Sequence, residues 1–498
     1  MKPQVVITGW GQVTQPKDQV SDLTDPLGLM AAAAKKAAAA AGTRAILHHL
    51  DGIMVVRPMS AHYPAAADQL AAEIGASPRF TAVSKIGGNS PQSLVNQAAG
   101  MLARGELESV LIAGAEAYYP RAGKPVSTGN ALFQGLPKDY ASDDTIGSTD
   151  LEGRHGIVQP LHGFPLFETA LWAESGLPLE TYLQKIGDLW ASFSVVAARH
   201  PNAWTTTRRS AKEIGTPSPS NRFIALPYTK YMNPLVTVDQ GAAIILTTGK
   251  KTAAIAIPGK RPVYFRGGGY AEDRQRFLIE KSDFTSSPPL RAAVDKALQR
   301  AHLSLGDIDC FDLYSCFPCA VAIAKRELGL AEDDPRPLTL TGGLGFFGGP
   351  GNNYSLHAIA TLVERIAAGK TETGLVTSLG WFLHKHAAGV YSCNPAETDL
   401  GDHDLADIEN RLVGPKPVDI IDRASGPGRI ETYTVKFSRD GQPETAILYG
   451  KTEAGLRFVA QALTNTDVLD RLVSENQVGR AVFLNYREQQ GMNIAQLR

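Results

Sequence analysis

Residues 353–381 read NYSLHAIATLVERIAAGKTETGLVTSLGW, and residues 89–116 read NSPQSLVNQAAGMLARGELESVLIAGAE. Both run in one order: a polar turn, a helical apolar pattern, a stop at RG or AGK, an acidic linker, then an apolar run and a glycine. Apolar residues at helical spacing followed by a short Val/Leu-rich run predict one helix and one strand per copy. Two copies of one βα unit in a single chain predict a duplicated domain packed as a pseudo-dimer.

The same grammar extends outward over most of the chain. QVVITGW (4–10), DGIMVV (51–56) and AAIILTTG (242–249) read as strands, and DPLGLMAAAAKKAAAAAG (25–42) reads as a helix. Residues 289–330 repeat the order of helix, approach and strand. Alternating β and α predicts a largely parallel sheet covered on both faces. Between the halves, about 119–230, the pattern is irregular and rich in Pro, Tyr, Trp and His. It reads as an insertion, either carrying ligand contacts or serving as a packing cap. Past an acidic, linker-like stretch at 398–410, five strand-like runs and one helix follow, with an Asp-Gly hairpin turn inside 428–452. That is the pattern of a small β-barrel of OB type.

Composition narrows the function classes. A chain of 498 residues exceeds one hydrophobic core. With 20% charged residues and a net charge of −1, nothing favours nucleic acid or a membrane surface as partner. No apolar run approaches membrane-spanning length, and the N-terminal run MKPQVVITGW lacks a signal-peptide core, so a cytoplasmic location is expected. Four cysteines, Cys310, Cys316, Cys319 and Cys393, are too few for a disulfide framework in a chain this size.

Three stretches carry candidate chemistry. CFPC (316–319) has the spacing of a thiol redox site but lies deep in the second copy, and no second Cys/His pair completes a zinc site. TGGLGFFGGPGNNYS (341–355) is a glycine-rich turn able to bring backbone N–H groups to a ligand, without the pattern of a dinucleotide or phosphate loop. GWFLHKHAAGVYS (380–392) sets His384 and His386 two apart, on one face if the run is a strand, without a third ligand for a metal. No metal or cofactor is expected.

These segments together resemble the thiolase superfamily over roughly 1–397. GMLARGELESVLIAGAE, VDQGAAIILTT and TGGLGFFGGPGNNYSLHAIA are similar to the family's "AGG-x-E", "DGAAA" and "GG-x4-GHP-x-GA-x-G" segments. The resemblance implies a layered αβαβα thiolase fold: an N-terminal half over 1–118 plus 230–262, a loop domain over 119–229 and a C-terminal half over 263–397. A linker over 398–419 and the OB-like barrel over 420–498 complete the chain. It further implies coenzyme A or an acyl-CoA as ligand, with acyltransferase chemistry of the acetyl-CoA acetyltransferase kind.

Carried over residue by residue, the family's nucleophilic Cys falls on Gly88, and Ser90 matches that motif's Ser. The catalytic His falls on Gly349, flanked by Gly348, Gly351 and Asn352, and the Cys of the last loop has no counterpart near Ser378–Trp381. The Asn or His of the "NEAF" or "HDCF" loop falls on Tyr314, while Cys316 matches the acid/base Cys of the sterol-carrier-type branch. A glycine cannot form an acyl-enzyme, so ordinary thiolysis is expected to be weak or absent. Ser90 and Pro91 instead read as the N-cap and first residue of a helix.

Tyr314 opens an alternative. Thiolase-like aldolases of steroid side-chain breakdown are similar in lacking the Cys and carrying a Tyr here, and they work with an OB-type partner. A retro-aldol cleavage of a β-hydroxyacyl-CoA would use Tyr314 as base, with Tyr354 as second phenol. A non-catalytic acyl-CoA-binding or scaffolding protein is the third possibility. The candidate catalytic residues are thus Cys316, Tyr314 and Tyr354. The candidate binding residues are Ser90, Gly348, Gly349, Gly351, Asn352 and His386. A protein partner through the C-terminal domain is possible in each case, with monomer and homodimer both open.

Overall fold

A computed structural model describes residues 4–19, 24–120, 147–249, 260–395, 412–463 and 465–497. The N-terminal half is built from β1 (Val5–Thr14), α1 (Pro26–Ala40), β2 (Gly52–Val55), α2 (Ala66–Ile74), β3 (Phe80–Val83), α3 (Ser90–Ala103) and β4 (Ser109–Ala117). The inserted region adds α4 (Asp150–Arg154), α5 (Pro160–Ser175), α6 (Leu179–Ala197), α7 (Ala211–Gly215), β5 (Phe223–Ala225) and β6 (Tyr228–Thr229). After β7 (Asp239–Thr248), the second half runs β8 (Tyr264–Asp273), α8 (Pro288–Ala301), β9 (Cys310–Asp312), α9 (Pro318–Leu328), α10 (Tyr354–Ala367), β10 (Thr373–Gly380) and β11 (Lys385–Ser392). A short β12 (Leu412–Val413) precedes β13 (Gly426–Phe437), β14 (Pro443–Thr452), β15 (Arg457–Ala462), α11 (Thr466–Ser474), β16 (Ala481–Arg487) and β17 (Met492–Leu497).

The duplication is written into the sheet. Its strand order is β3-β2-β4-β7-β1-β8-β11-β10-β9, so the run β2-β4-β7-β1 is mirrored by β9-β10-β11-β8 about the β1–β8 pair. Alternate residues face two layers. Ile53, Val55, Leu111 and Ile245 join α1 and α2 in one buried cluster. Met54, Val110, Ile112 and Ile244 join the apolar faces of α3 and α10 in another. Helices α8 and α9 cover the second half on its far side, giving the αβαβα order. In each half a strand approaches its helix through a Gly-x-Gly pair. A Cβ on Gly9 or Gly11 would collide with the Ala37 or Ala33 carbonyl, and one on Gly267 or Gly269 with the Ala297 or Ala293 carbonyl.

The sheet differs from the expected largely parallel one. Only β2–β3, β2–β4, β9–β10 and the short β8–β12 pairing are parallel. β1–β7, β4–β7, β1–β8, β8–β11 and β10–β11 are antiparallel. For β10–β11 the reason is local: the two strands are joined by the four residues 381–384, and a connection that short permits only a hairpin.

The C-terminal segment closes as a five-stranded barrel, β14-β15-β17-β16-β13, with β13 pairing back to β14. Strand β13 also takes on β5 and β6 of the inserted region, so barrel and insertion share one sheet. Among the described residues no helix is long and apolar enough to cross a membrane.

Candidate functional site

The starts of α3 and α9, the glycine loop and α5 converge on one cavity of about 240 Å³. Gly88, Tyr314, Cys316, Gly349, Gly351 and Asn352 line it, together with Pro160, Leu161 and Phe164 of α5, Phe317, Leu344 and Trp381. Among the described residues none that lines it is charged. Trp381 stands in the β10–β11 turn with φ 51°, a left-handed conformation unusual for a large side chain, and so presents its ring to the cavity.

Gly88 and Tyr314 interlock. A Cβ built on Gly88 would lie 2.8 Å from Cζ of Tyr314 and 2.5 Å from the Leu379 carbonyl oxygen, with the Tyr314 hydroxyl nearer still. The phenol therefore occupies the volume into which a side chain at 88 would project. Tyr314 is anchored by its own N–H, which donates to Thr377 Oγ1 at 2.9 Å, and by an edge-to-face contact with Tyr354 at 5.5 Å. Burial pushes the Tyr314 phenol well above its ordinary range, and the nearby Cys316 adds to the shift. Burial also pushes the Cys316 thiol up. At neutral pH both groups are neutral and able to donate a hydrogen bond. Position 349 has room: a Cβ there would meet Leu344 Cδ2 at 3.4 Å, an ordinary contact.

The remaining sequence candidates divide. Asn352 Oδ1 accepts from the Gly87 N–H at 3.0 Å while its Nδ2 donates to the Arg57 carbonyl, so it braces the turn before Gly88. Four residues stand outside the cavity lining. The Tyr354 hydroxyl donates to Asp312 Oδ1 at 3.0 Å and lies 2.7 Å from Thr341 Oγ1, behind the wall. Ser90 Oγ donates to the Lys85 carbonyl at 2.7 Å, so Asn89 rather than Ser90 is the N-cap of α3, without a side-chain cap bond. Gly348 backs onto Gln240, and His386 Nε2 lies 3.1 Å from Ser287 Oγ. Burial lowers the His386 imidazole to about 3. His384 falls in the turn before β11, so the two histidines do not share one strand. Among the described residues no group of three or more His, Cys, Asp or Glu could hold a metal ion.

Two buried acids escaped the sequence reading. Glu116 accepts from the Met59 and Ser60 N–H groups at 2.8 and 2.7 Å, and burial raises its carboxyl to about 7. Asp312 collects the Leu340 and Thr341 N–H groups with Tyr354, and burial raises it to about 6. Each is the one acid in an otherwise apolar strand, SVLIAGAEA or CFD, which is the signal that could have revealed them.

Residues 407–489 match the family model described as the thiolase-like protein type 1 additional C-terminal domain. Over the whole molecule, the crystal structure of a monomeric SCP2-thiolase-like protein type 1 from Mycobacterium smegmatis is similar with TM-score 0.83 and 33% identity, covering 99% of each chain. The chain belongs to this family. The fold of this type 1 thiolase-like protein is also that of two more distant structures. An Ltp2–ChsH2(DUF35) aldolase has TM-score 0.62 at 18% identity, over 78% of this chain and 97% of that one. An acetyl-CoA acetyltransferase from Syntrophomonas wolfei has TM-score 0.59 at 14% identity, over 79% of this chain and 100% of that one. No curated protein sequence matches the chain.

Proposed function

We propose that this type 1 thiolase-like protein binds a coenzyme A thioester of an uncharged acyl group and holds it without forming an acyl-enzyme. The observation that carries this reading is the exchange at 88 and 314: the nucleophile position is a glycine, and a phenol fills the space beside it. A glycine has no group to acylate. The protonated Tyr314 and Cys316 are suited to donate to the thioester carbonyl, and an uncharged wall receives hydrocarbon without leaving a charge unpaired. Residues 199–232 hold six Lys/Arg and one acid, Glu213, in a chain of net charge −1, and they run up to Asn233 and Pro234 of the cavity lining. Such a stretch is an electrostatic match for the phosphates of coenzyme A.

The retro-aldol alternative asks the phenol to give up its proton, and burial pushes Tyr314 the other way. Tyr354, its supposed second phenol, is committed to Asp312. The binding reading is therefore better supported. Calorimetric titration with octanoyl-CoA, and intact-mass measurement after incubation with acetyl-CoA, test it. Saturable binding with no added mass is expected; a stable acetyl adduct, or no binding of any acyl-CoA, overturns it. In Tyr314→Phe, octanoyl-CoA affinity is expected to fall about fivefold, the usual net value of one hydrogen bond. The same protein eluting as a dimer by light scattering would count against a single-chain unit, which we propose by likeness to the monomeric relative.

A further inference from the structure

The barrel meets the body of the molecule at several places, among them the end of α4 through Glu152 and His155, and two of these places belong to the elements that wall the cavity. Thr432 and Thr434 lie two apart on β13 and so share a face, while Tyr433 between them turns into the barrel and donates to the Leu472 carbonyl. The Thr432 hydroxyl donates to the Leu166 carbonyl of α5. The Thr434 hydroxyl donates to the Leu226 carbonyl at 3.0 Å, and the Leu226 N–H donates to Val435 at 2.9 Å. Helix α5 supplies Pro160, Leu161 and Phe164 to the cavity; the chain leaving β6 supplies Asn233, Pro234 and Val236.

The two walls are also tied to each other. Glu168 of α5, fully buried, accepts from the Tyr228 hydroxyl at 2.6 Å and from the Tyr182 hydroxyl at 2.6 Å. The ring of Phe317 lies between them, stacked on Phe164 at 4.5 Å and on Tyr228 at 5.4 Å. Phe317 adjoins Cys316, and both line the cavity. A closed circuit thus runs from β13 to α5, through Glu168 to Tyr228, and back along β5 to β13. Every hydroxyl in it is buried, where an unmade hydrogen bond is costly.

We infer that the C-terminal barrel is a clamp on the cavity: Thr432 and Thr434 fix the spacing of the two walls that hold Phe317, and so set access to Cys316. They are positioning residues, since neither lines the cavity. Losing the hydroxyls at constant shape loosens the walls, and cavity access rises.

The test compares Thr432→Val/Thr434→Val with Thr432→Ser/Thr434→Ser in the full chain. Iodoacetamide labelling of Cys316, resolved by peptide mass mapping, reads cavity access without any ligand. The Val pair is expected to label Cys316 about twenty-fivefold faster than wild type, roughly fivefold if only one hydrogen bond acts. The Ser pair is expected at the wild-type rate, with Cys310 unchanged throughout. Octanoyl-CoA affinity, where it rests on the functional reading above, falls in step in the Val pair alone. A Val pair that melts lower but labels Cys316 at the wild-type rate overturns the clamp and leaves the barrel a stabilising appendage. If the Val pair does not fold, each single Val variant is read the same way. If wild type binds no acyl-CoA, the functional reading fails while the labelling still judges the clamp.

Discussion

Placing a nucleophile at position 88 tests whether Gly88 is a vacancy or half of a packed pair. In Gly88→Cys the new Cβ would lie 2.5 Å from the Leu379 oxygen and 2.8 Å from Tyr314 Cζ, both below the 3.0 Å at which something must shift. Neither neighbour retreats freely. Leu379 is in β10, paired with His386 of β11, and Tyr314 is pinned at Thr377 and against Tyr354. Overpacking of this kind costs about 1–3 kcal/mol. In a chain this long that corresponds to roughly a few degrees or less of apparent melting temperature. Adding Tyr314→Asn removes the phenol but not the Leu379 oxygen, so the double variant should recover only part of the loss. Neither variant is expected to acylate, because among the described residues lining the cavity there is no His, Asp or Glu to act as the base that a thiol or hydroxyl nucleophile requires. Thermal melts and intact-mass spectra after acetyl-CoA treatment read both effects. A Gly88→Cys protein that melts with the wild type and gains one acetyl group would refute the steric reasoning outright.

Two further perturbations probe buried ionisable groups. Burial lifts the Glu116 carboxyl from 4.5 to about 7, so the folded protein holds this proton more tightly than the unfolded chain does. The resulting stability is full below about pH 4.5 and is lost as pH rises through 7. Urea midpoints should therefore show the advantage of wild type over Glu116→Gln shrinking between pH 4.5 and 7.5, by at most about 3 kcal/mol; a growing advantage contradicts the assignment. Lys281 pairs with Asp273 at 2.7 Å with both side chains almost wholly buried. Lys281→Met strands the carboxylate and should cost about 3–5 kcal/mol in denaturant melts, while Lys281→Met with Asp273→Leu should recover most of it. No recovery in the double variant would mean the pair does not act as a unit.

How much of this was legible in the sequence follows the range of the physics involved. Helices α3 and α10 and strands β4 and β10 were plain, because their periodicity is set within about fifteen residues. Strand direction was not, since an apolar run reads alike in either direction and only the β10–β11 pair has its direction fixed by a short turn. The barrel's hold on the insertion was hidden for a related reason. β5 and β6 span three and two residues, too short for a period, and β5 meets β13 across more than two hundred positions of chain.

The site shows the same limit more sharply. The sequence could be read there only one residue at a time, and on that basis Gly88 was a position that cannot form an acyl-enzyme. The structure joins two positions 226 residues apart into a single volume, in which Tyr314 takes the space a side chain at 88 would need. A side chain at 88 and the phenol at 314 therefore exclude each other, because neither leaves room for the other. Tyr354, by contrast, looked like a natural partner for Tyr314 from its place in the glycine loop. It turned out to be spoken for by Asp312, an acid with no other way to satisfy its buried oxygens than the hydroxyls and N–H groups around it. What a cavity can do is fixed by which side chains are left over once the buried polar groups have been satisfied. Here, among the described residues, those left over are a neutral phenol and a neutral thiol facing an uncharged wall, and it is on this set that the proposed holding of a thioester carbonyl without an acyl-enzyme rests.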